Sequence, residues 1–475
     1  MLGAACVVLA AASVAVAAQA PASGPARPGV GPERAFQLAP RVERTLPNGL
    51  RVIVMRQAVI PKVTATLTVL SGYSSDPPNL TGLAAFTGDA VQGGTTTRTS
   101  RQISTEAFGM GGSLSAISSQ DYSSLQVRGL AEFAPKLIDL LADVAMHPSF
   151  PEDEFAIVKQ QHLQNVAREK ASPQSASSRE FRRALFGPHP YARTASTVEM
   201  VQAIDRATVA AFHDQHYRPN NAFLLIVGAV DAEPVLAAVE KAFGGWTRRD
   251  VAPVVYAAPT ATSGRHLYFV QRPNSIQSSI SVGHLALKRS DPRWYETAVA
   301  NTIFGGAFNS RLVRNLREEK GYTYSPASIL TGFVDAGFYR FAADVRNEVT
   351  GATLTEVFKE FDRMRAEPGD QAELGGAKQY MRGLFAVQTA TQNGLSAVLN
   401  NVYVFGLPKD YPETYRAAIA GVTPAQVKTG ASTLLRSDAS VIVVVGDYGK
   451  VKDQLAGFGE ITFLDLDGKP TAPPQ

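Results

Sequence analysis

The chain has 475 residues, of which 45% are hydrophobic and 19% charged, and this composition excludes a largely disordered protein. The length exceeds what one hydrophobic core normally serves and therefore predicts several domains. The formal net charge is +4 and no block of Lys or Arg is present, so no nucleic-acid partner is expected.

The first 20 residues differ from the rest, because they carry no charge, are rich in Ala and Val and end in Ala-Gln-Ala. This pattern predicts a signal peptide cleaved after Ala20, although a positively charged start is absent. A retained membrane anchor is the alternative, since the length is borderline for a span. Cleavage would give a periplasmic or otherwise exported protein with no stable membrane span. It would also remove Cys6, the only cysteine.

After a flexible lead-in predicted at residues 21–40, strand-like segments occur twice along the chain. The segments RVIVMRQ and PKVTATLTV of the first half are followed, about 215 residues later, by HLYFVQR and IQSSISVGH. Late in each half, a buried strand pattern ends at Gly228 or Gly446. A repeat of this length indicates a duplicated domain and excludes a solenoid of short repeats.

Each half follows the order of strands, helix, hairpin, long helices and a last strand. This order predicts an α+β fold in which an antiparallel sheet is covered by helices. We place the two halves at residues 41–250 and 265–470. The segment 251–264 between them is rich in Pro, Gly and Ser and is predicted to be a linker.

Residues 111–130 alternate in polarity and turn at Ser-Gln-Asp, which predicts a β-hairpin. Farther along, His213 and His216 are three residues apart and could ligate a metal. The alternative is that they close a helix near its C-terminus, where histidine is favourable, and this is our prediction.

Several segments, in order, resemble the insulinase/pitrilysin family of zinc metallopeptidases in its short bacterial form. They are LPNGLRVIV, LTGLAAF, LFGPHPYAR, YRPNNAFLLIVG and LREEKGYTYS, and the resemblance covers nearly all of residues 41–460. It implies two homologous α+β halves that close as a clamshell. For the predicted hairpin, it implies an edge strand to which a peptide substrate adds as a further strand. The peptide-binding residues would be Ser113, Leu114, Ser115 and Ala116, and an ordinary sheet strand is the alternative.

The zinc-binding motif of that family, H-x-x-E-H on a helix followed by a distal Glu, is replaced in this sequence. The corresponding positions are Ala85, Gly88, Asp89 and Asn165. Two of them have no side-chain donor and one is a neutral amide, so no zinc cofactor is expected in this chain. A rearranged metal site of Asp89, His162 and Asn165 is an alternative, whereas the simplest interpretation of His162 is a solvated helix residue.

The segment RLVRNLREEKGYTYSPAS resembles the family pattern R-E-x-x-G-x-x-Y, with Arg317 and Tyr324 as its first and last residues. The resemblance implies that these two residues hold the substrate backbone and stabilise the tetrahedral intermediate at a zinc site. A guanidinium and a phenol hydroxyl suit a developing oxyanion. Without the family comparison, the segment would indicate an Arg in a surface ion pair and a Tyr packed in a strand.

Some members of the family divide one site between two chains, and the mitochondrial processing peptidase likewise has a zinc-free chain. The resemblance therefore implies a non-catalytic subunit of a heterodimeric zinc peptidase that degrades or processes peptides. Its partners would be a peptide substrate and an H-x-x-E-H-bearing sister subunit that holds the Zn. One alternative is an inert peptide-binding or scaffold protein, like the core subunits of the respiratory cytochrome bc complex. A self-sufficient enzyme with an unusual metal site is another.

Overall fold

The computed structural model describes residues 36–259 and 263–474, so the predicted signal peptide lies outside the described residues. The first sheet has the order β1-β2-β6-β3-β5-β4. Its neighbouring strands are antiparallel except for β2 and β6, which are parallel. The bounds are β1 Arg41–Thr45, β2 Arg51–Arg56, β3 Lys62–Val69, β4 Ser113–Ser118, β5 Ser123–Leu130 and β6 Ala222–Gly228.

The second sheet has the order β12-β7-β11-β8-β10-β9. Here β7 is parallel to both β11 and β12, and the other pairs are antiparallel. The predicted class of two helix-covered, mainly antiparallel sheets is confirmed, with the parallel pairs as an addition. The bounds are β7 Arg265–Gln271, β8 Gln277–Ala286, β9 Ala327–Gly332, β10 Gly337–Arg346, β11 Ser440–Gly446 and β12 Glu460–Leu464.

Helices separate the strands in both parts of the chain, and no helix within 36–259 and 263–474 is long and apolar enough to cross a bilayer. The first eight are α1 Leu83–Ala90, α2 Ser100–Gly109, α3 Ala134–Met146, α4 Glu152–Ala171, α5 Pro173–Phe186, α6 Val198–Ala203, α7 Arg206–His216 and α8 Ala232–Phe243. The others are α9 Trp294–Asn301, α10 Thr350–Ala366, α11 Gln371–Thr389, α12 Gln392–Val404, α13 Tyr411–Gly421, α14 Pro424–Leu434 and α15 Tyr448–Val451. Two wider, π-helical turns lie at Thr302–Gly306 and Val313–Glu319.

Two helices are exchanged between the sheets. Helix α5 precedes the second sheet in the chain but packs on it, and its Phe181 ring lies 6.0 Å from that of Phe338 on β10. Helix α12 follows the second sheet's hairpin but covers the first sheet, where Leu395 and Leu399 pack on β2 and β6. Each sheet therefore has, on the face opposite its main core, a helix that comes from the other part of the chain.

The exchange explains why β3 is buried on both faces although its sequence alternates. Its apolar residues, among them Leu67, join the main core of the first sheet. Its threonines face the other way, and Thr68 Oγ1 donates a 2.6 Å hydrogen bond to Asn400 Oδ1 on α12. A polar side chain buried in this way needs such a partner.

The two sheets are also joined by a buried hydrogen-bond cluster. Asp121 lies at the predicted hairpin turn. Its carboxylate accepts a 2.7 Å hydrogen bond from the Tyr191 hydroxyl and a 3.0 Å hydrogen bond from the backbone N–H of Val334. The Asp335 backbone N–H donates 3.0 Å to the same Tyr191 oxygen. Because burial raises the cost of an unpaired polar group, these bonds fix the β4–β5 hairpin against the β9–β10 hairpin.

Candidate functional site

Helix α1 contains the positions that match the zinc motif, and a carboxylate outside the helix fixes its start. Gly82 precedes the helix with φ +97, a conformation that suits glycine. Asp76 accepts from the backbone N–H groups of Gly82 at 2.7 Å and Ala84 at 2.8 Å. Burial raises the pKa of Asp76 to about 7, although these donors and nearby Arg193 act to lower it. Sequence reasoning missed this cap, which the Asp-Pro-Pro turn before the helix could have suggested.

Three of the four degenerate positions line one cavity of about 210 Å³ between α1 and α4. Ala85 and Asp89 face it from α1, and Asn165 faces it from α4. Gly88 is buried on the side of α1 that faces β4. The structure therefore brings together positions that the family resemblance assigns to the metal, although Asn165 lies 76 residues after Asp89 in the chain.

Within this cavity Asp89 is paired with a histidine. The Nε2 of His162 lies 2.9 Å from Asp89 Oδ2, and its ring lies 4.9 Å from that of Phe86. The prediction of a solvated His162 is wrong, because only 12% of its side chain is exposed. From the sequence the two residues were grouped only as possible metal ligands, and their direct hydrogen bond has no local signal because they belong to helices far apart in the chain.

The donors in the cavity do not fit a zinc site. Ala85 and Gly88 provide none, and Asp89 is hydrogen-bonded to His162. The Asn165 amide oxygen accepts from Arg168, which is on the same helix. Among the described residues, no group of three His, Cys, Asp or Glu side chains is placed to hold a metal ion. The rearranged site of Asp89, His162 and Asn165 is therefore not supported by the geometry.

The rest of the cavity wall mixes polar residues with small apolar ones such as Val166 and Ala195, and Glu169 is its one further carboxylate. Partial burial raises the pKa of Glu169, and nearby Arg179 and His162 oppose the shift. Burial, together with Asp76, Glu169 and Asp89, raises the pKa of the Tyr73 phenol to about 12. The cavity thus contains positions that the family resemblance assigns to a zinc site, but its side chains do not form a zinc ligand set.

Gly88, which stands at the position of the family's general base, can be tested by a stability measurement. A methyl group at this position would lie 3.5 Å from both Ala116 Cβ and Ser118 Oγ, which is ordinary contact. Glycine within a helix costs about 0.5–1 kcal/mol relative to alanine. Gly88→Ala is therefore expected to raise the free energy of unfolding by about 1 kcal/mol in urea titration. A decrease would show that the contact with β4 is tighter than this geometry indicates.

The predicted peptide-binding strand is β4, which lies at the edge of the first sheet and pairs only with β5 in the described sheet order. Its residues 113–116 are exposed or half-buried. Farther along the strand, Ser118 Oγ donates 3.3 Å to the Ala84 carbonyl of α1. An edge strand has unpaired backbone groups and can accept a further strand. Peptide binding at these residues stays a prediction.

Arg317 and Tyr324 lie together in the second half of the chain. The Arg317 guanidinium is 4.4 Å from the centre of the Tyr324 ring and 4.8 Å from that of Phe308. Both rings are open to solvent, with Tyr324 77% and Phe308 68% exposed. Arg317 lies in the wider turn Val313–Glu319, and such turns are frequent at functional sites. Phe308 was not predicted as a site residue. The sequence signal that could have indicated it is its position in the glycine-containing bend FGGAFNSRL.

Tyr324 and the degenerate motif line different cavities. Tyr324 borders a cavity of about 360 Å³ with Asp344 and Arg346 of β10. The cavity that holds Asp89 is walled by residues of the first half only. The surface alternative for this pair, an Arg in an ion pair with a packed Tyr, does not describe the stacked arrangement.

His213 and His216 close α7, as predicted, and do not form a metal pair. His213 Nε2 lies 2.8 Å from the Ala145 carbonyl oxygen, and His216 Nδ1 lies 3.0 Å from Ser71 Oγ. Burial lowers the pKa of both imidazoles to about 4. Arg218 and His147 lower the pKa of His213 further, whereas Asp214 and the hydrogen bond to Ala145 raise it.

These two histidines predict a loss of stability in acid. In the unfolded chain an imidazole takes up a proton near pH 6.5, whereas the folded ones stay neutral until about pH 4. Their contribution is fully present above pH 6.5 and is lost as the pH falls from 6.5 to 4, by on the order of 3 kcal/mol each. Urea unfolding between pH 7.5 and 4.5 measures the loss, and His213→Gln is expected to reduce its slope. An unchanged slope would contradict the assignment to this histidine.

Comparisons with known proteins agree with this fold. The model of the Insulinase family (Peptidase family M16) matches residues 51–197, and that of the Peptidase M16 inactive domain matches residues 203–381. The chain therefore belongs to the insulinase family, peptidase family M16.

Individual relatives match over most of their length. The chain is 28% identical over 438 residues to an uncharacterized zinc protease of Mycobacterium bovis, covering 89% of this chain and 97% of that one. A crystal structure titled peptidase M16 inactive domain from Pseudomonas fluorescens superposes with a TM-score of 0.80 at 24% identity, covering 86% and 98% of the two chains. A protease from Helicobacter pylori superposes with a TM-score of 0.81 at 17% identity, covering 86% and 100%. The two structures support the fold.

Proposed function

We propose that this chain is the non-catalytic subunit of a heterodimeric zinc peptidase that acts on unfolded peptides. The observation that supports the proposal is an asymmetry between two sites. The cavity at α1 and α4 has no ligand set for zinc, whereas Arg317 and Tyr324 are stacked and exposed. Because the pair is exposed, it could contact a substrate bound at the zinc site of a second chain.

In this proposal the chain's own residues bind and orient the substrate. A sister chain with an intact H-x-x-E-H motif holds the zinc that activates water. Arg317 carries a permanent positive charge and presents a planar set of N–H donors, which suits a carbonyl oxygen as it gains negative charge. Tyr324 adds a hydroxyl donor, and its ring limits the positions that the guanidinium can take.

Edge strand β4 would hold an extended peptide through its backbone. Bonds between main chains do not depend on the peptide's side chains, so this strand would accept many sequences. Its position beside α1 would place the peptide along the first sheet.

Export is the second part of the proposal, and it depends on residues 1–20 of the sequence. The mature protein is expected to begin at Pro21 and to be found outside the cytoplasm. N-terminal sequencing of protein purified from its native cells checks this. An N-terminus that retains the first 20 residues would instead favour a membrane anchor.

The mixing experiment tests the divided site. The purified chain, its zinc-bearing sister chain and their mixture are each assayed on an unstructured peptide, with zinc determined on the same samples. Cleavage by the mixture alone, with zinc in the sister chain, is expected. Cleavage by this chain alone with stoichiometric zinc would overturn the proposal.

The exposure of Tyr324 also supports a second candidate function, an inert peptide-binding or scaffold protein of the same fold. An aromatic residue that is 77% exposed can serve a protein interface as well as a substrate. If no combination of the two chains cleaves peptide while they still form a complex, the scaffold function is the better description.

A further inference from the structure

None of the fully exposed residues of helix α11 is charged, whereas its charged residues Glu373, Lys378 and Arg382 are half-buried. Its exposed residues are Gln371, Ala372, Gly375, Gln379, Tyr380, Gly383, Leu384, Val387 and Gln388. Three of these are large and apolar, with Tyr380 46%, Leu384 55% and Val387 71% exposed. They are spaced by three or four residues and therefore share one side of the helix. The charged residue Glu373 is withdrawn from this face into a bidentate ion pair with Arg311.

Helix α11 is the second-half counterpart of α4. The segment EFAIVKQ at 154–160 in α4 matches ELGGAKQ at 373–379 in α11. The lysines in these segments make similar contacts. Lys159 donates a 2.7 Å hydrogen bond to a backbone carbonyl of α6, and Lys378 donates a 3.0 Å hydrogen bond to a backbone carbonyl of α13. The two helices thus occupy equivalent places in the two halves.

This correspondence aligns Leu384 with Asn165. Asn165 is the α4 residue that faces the cavity at the degenerate motif. The equivalent position in α11 therefore carries an exposed leucine in place of a polar side chain. Helix α4 also exposes charged residues in its last turns, which α11 does not.

Glycines leave open space above the same face. A Cβ atom added at Gly375, Gly376 or Gly383 would meet no atom within 4 Å. Each glycine costs the helix about 0.5–1 kcal/mol relative to alanine, and nothing packed within the described chain requires it. A smooth helical surface lets another backbone approach closely.

The two ends of α11 reach the elements that the proposed function assigns to the substrate. At its start, Ala372 and Ala377 border a cavity of about 610 Å³ that is also lined by Ala307 and Asn309, the chain neighbours of Phe308, and by charged side chains such as Arg314. Directly after its end, residues 391–393 border a cavity of about 340 Å³ with Gly112 and Ser113 at the start of β4.

The length of the helix fits this arrangement. A helix of 19 residues is about 28 Å long, which corresponds to about eight residues of extended peptide. The helix therefore runs from a cavity beside Phe308, whose ring Arg317 contacts, to a cavity at the start of the edge strand.

We propose that the exposed face of α11 binds the apolar side chains of an extended, unfolded peptide substrate, with Leu384, Tyr380 and Val387 as its specificity-determining residues. The inference rests on the proposed function, which it deepens by naming the substrate class. The absence of charge on the face favours uncharged, apolar side chains, because a charged group placed here would lose water without gaining a partner. Continuity with both substrate elements argues for a peptide as the occupant.

Peptide binding by the full-length mature chain alone tests the inference without any cleavage. Two fluorescein-labelled ten-residue peptides are compared by anisotropy, one with Leu and one with Ser at alternate positions. The Leu peptide is expected to bind at least about tenfold more tightly, as burial of one or two Leu side chains predicts. Leu384→Ser combined with Tyr380→Ser is expected to abolish that ratio.

Val255→Ser removes an apolar side chain that is even more exposed, at 87%, from the segment between the halves; it is the control and is expected to keep the ratio. Equal binding of the two peptides, or a ratio that survives the double substitution, would overturn the inference. Protection of α11 from hydrogen exchange by the sister chain without peptide would also overturn it, by making the face a subunit contact. The anisotropy assay measures binding and not cleavage. Its outcome is therefore independent of the mixing experiment, which tests the divided-site proposal.

Discussion

Arg317→Ala is expected to lower kcat/KM for peptide cleavage by the mixed complex about 100-fold or more, because loss of one oxyanion donor has an effect of this size. Arg317→Lys is expected to recover little, since an ammonium group lacks the planar set of donors and stacks less well on Tyr324. Tyr324→Phe keeps the ring under the guanidinium and removes only the hydroxyl. Its effect on kcat is expected to be smaller, about tenfold.

A matched control separates this role from a general effect on charge or stability. Arg365 on α10 is partly exposed and has only a weak 3.9 Å contact with Asp362. Arg365→Ala is expected to leave kcat/KM unchanged. If Arg317→Ala matched the control, or if it lowered only the amount of complex formed, the assignment of Arg317 to the reaction would be contradicted. Gel filtration of each mixture measures complex formation independently.

Much of the fold was predictable because the duplication constrains it. Two sets of strands about 215 residues apart, each ending at a glycine such as Gly228 or Gly446, predicted two similar sheets. The exchange of α5 and α12 was not predictable. An amphipathic sequence pattern indicates that one side of a helix is buried, but it does not indicate which sheet that side packs against. The sequence of β3 gave one indication of the exchange, because its threonines, once buried, need a polar partner on another element.

The site was predictable where chemistry depends on residue identity, and not where it depends on long-range contacts. Ala85, Gly88 and Asn165 exclude a zinc ligand set by composition alone. The pairing of Asp89 with His162 depends on the packing of α1 against α4, and no local pattern encodes it. Similarly, the exposure of Leu384 becomes meaningful only when α11 is compared with α4.

Restoring three ligands is expected to give this chain a metal site. The variant Ala85→His, Asp89→His, Asn165→Glu should bind about one zinc per chain, because these three positions line the same cavity and supply the ligand types that zinc requires. Asp89→His also removes the hydrogen bond that engages His162. Zinc content after dialysis measures binding, and the wild-type chain in parallel is expected to retain none.

The double variant Asp89→His, Asn165→Glu is the matched control, since it lacks one ligand and is expected to retain zinc poorly. Binding to the folded state alone raises the melting temperature, so added zinc should stabilise the triple variant and not the double one. A folded triple variant that retains no more zinc than the double would show that α1 and α4 no longer hold the spacing of a metal site. In that event the cavity has diverged in backbone as well as in side chains, and the loss of metal binding cannot be ascribed to the four substituted residues alone.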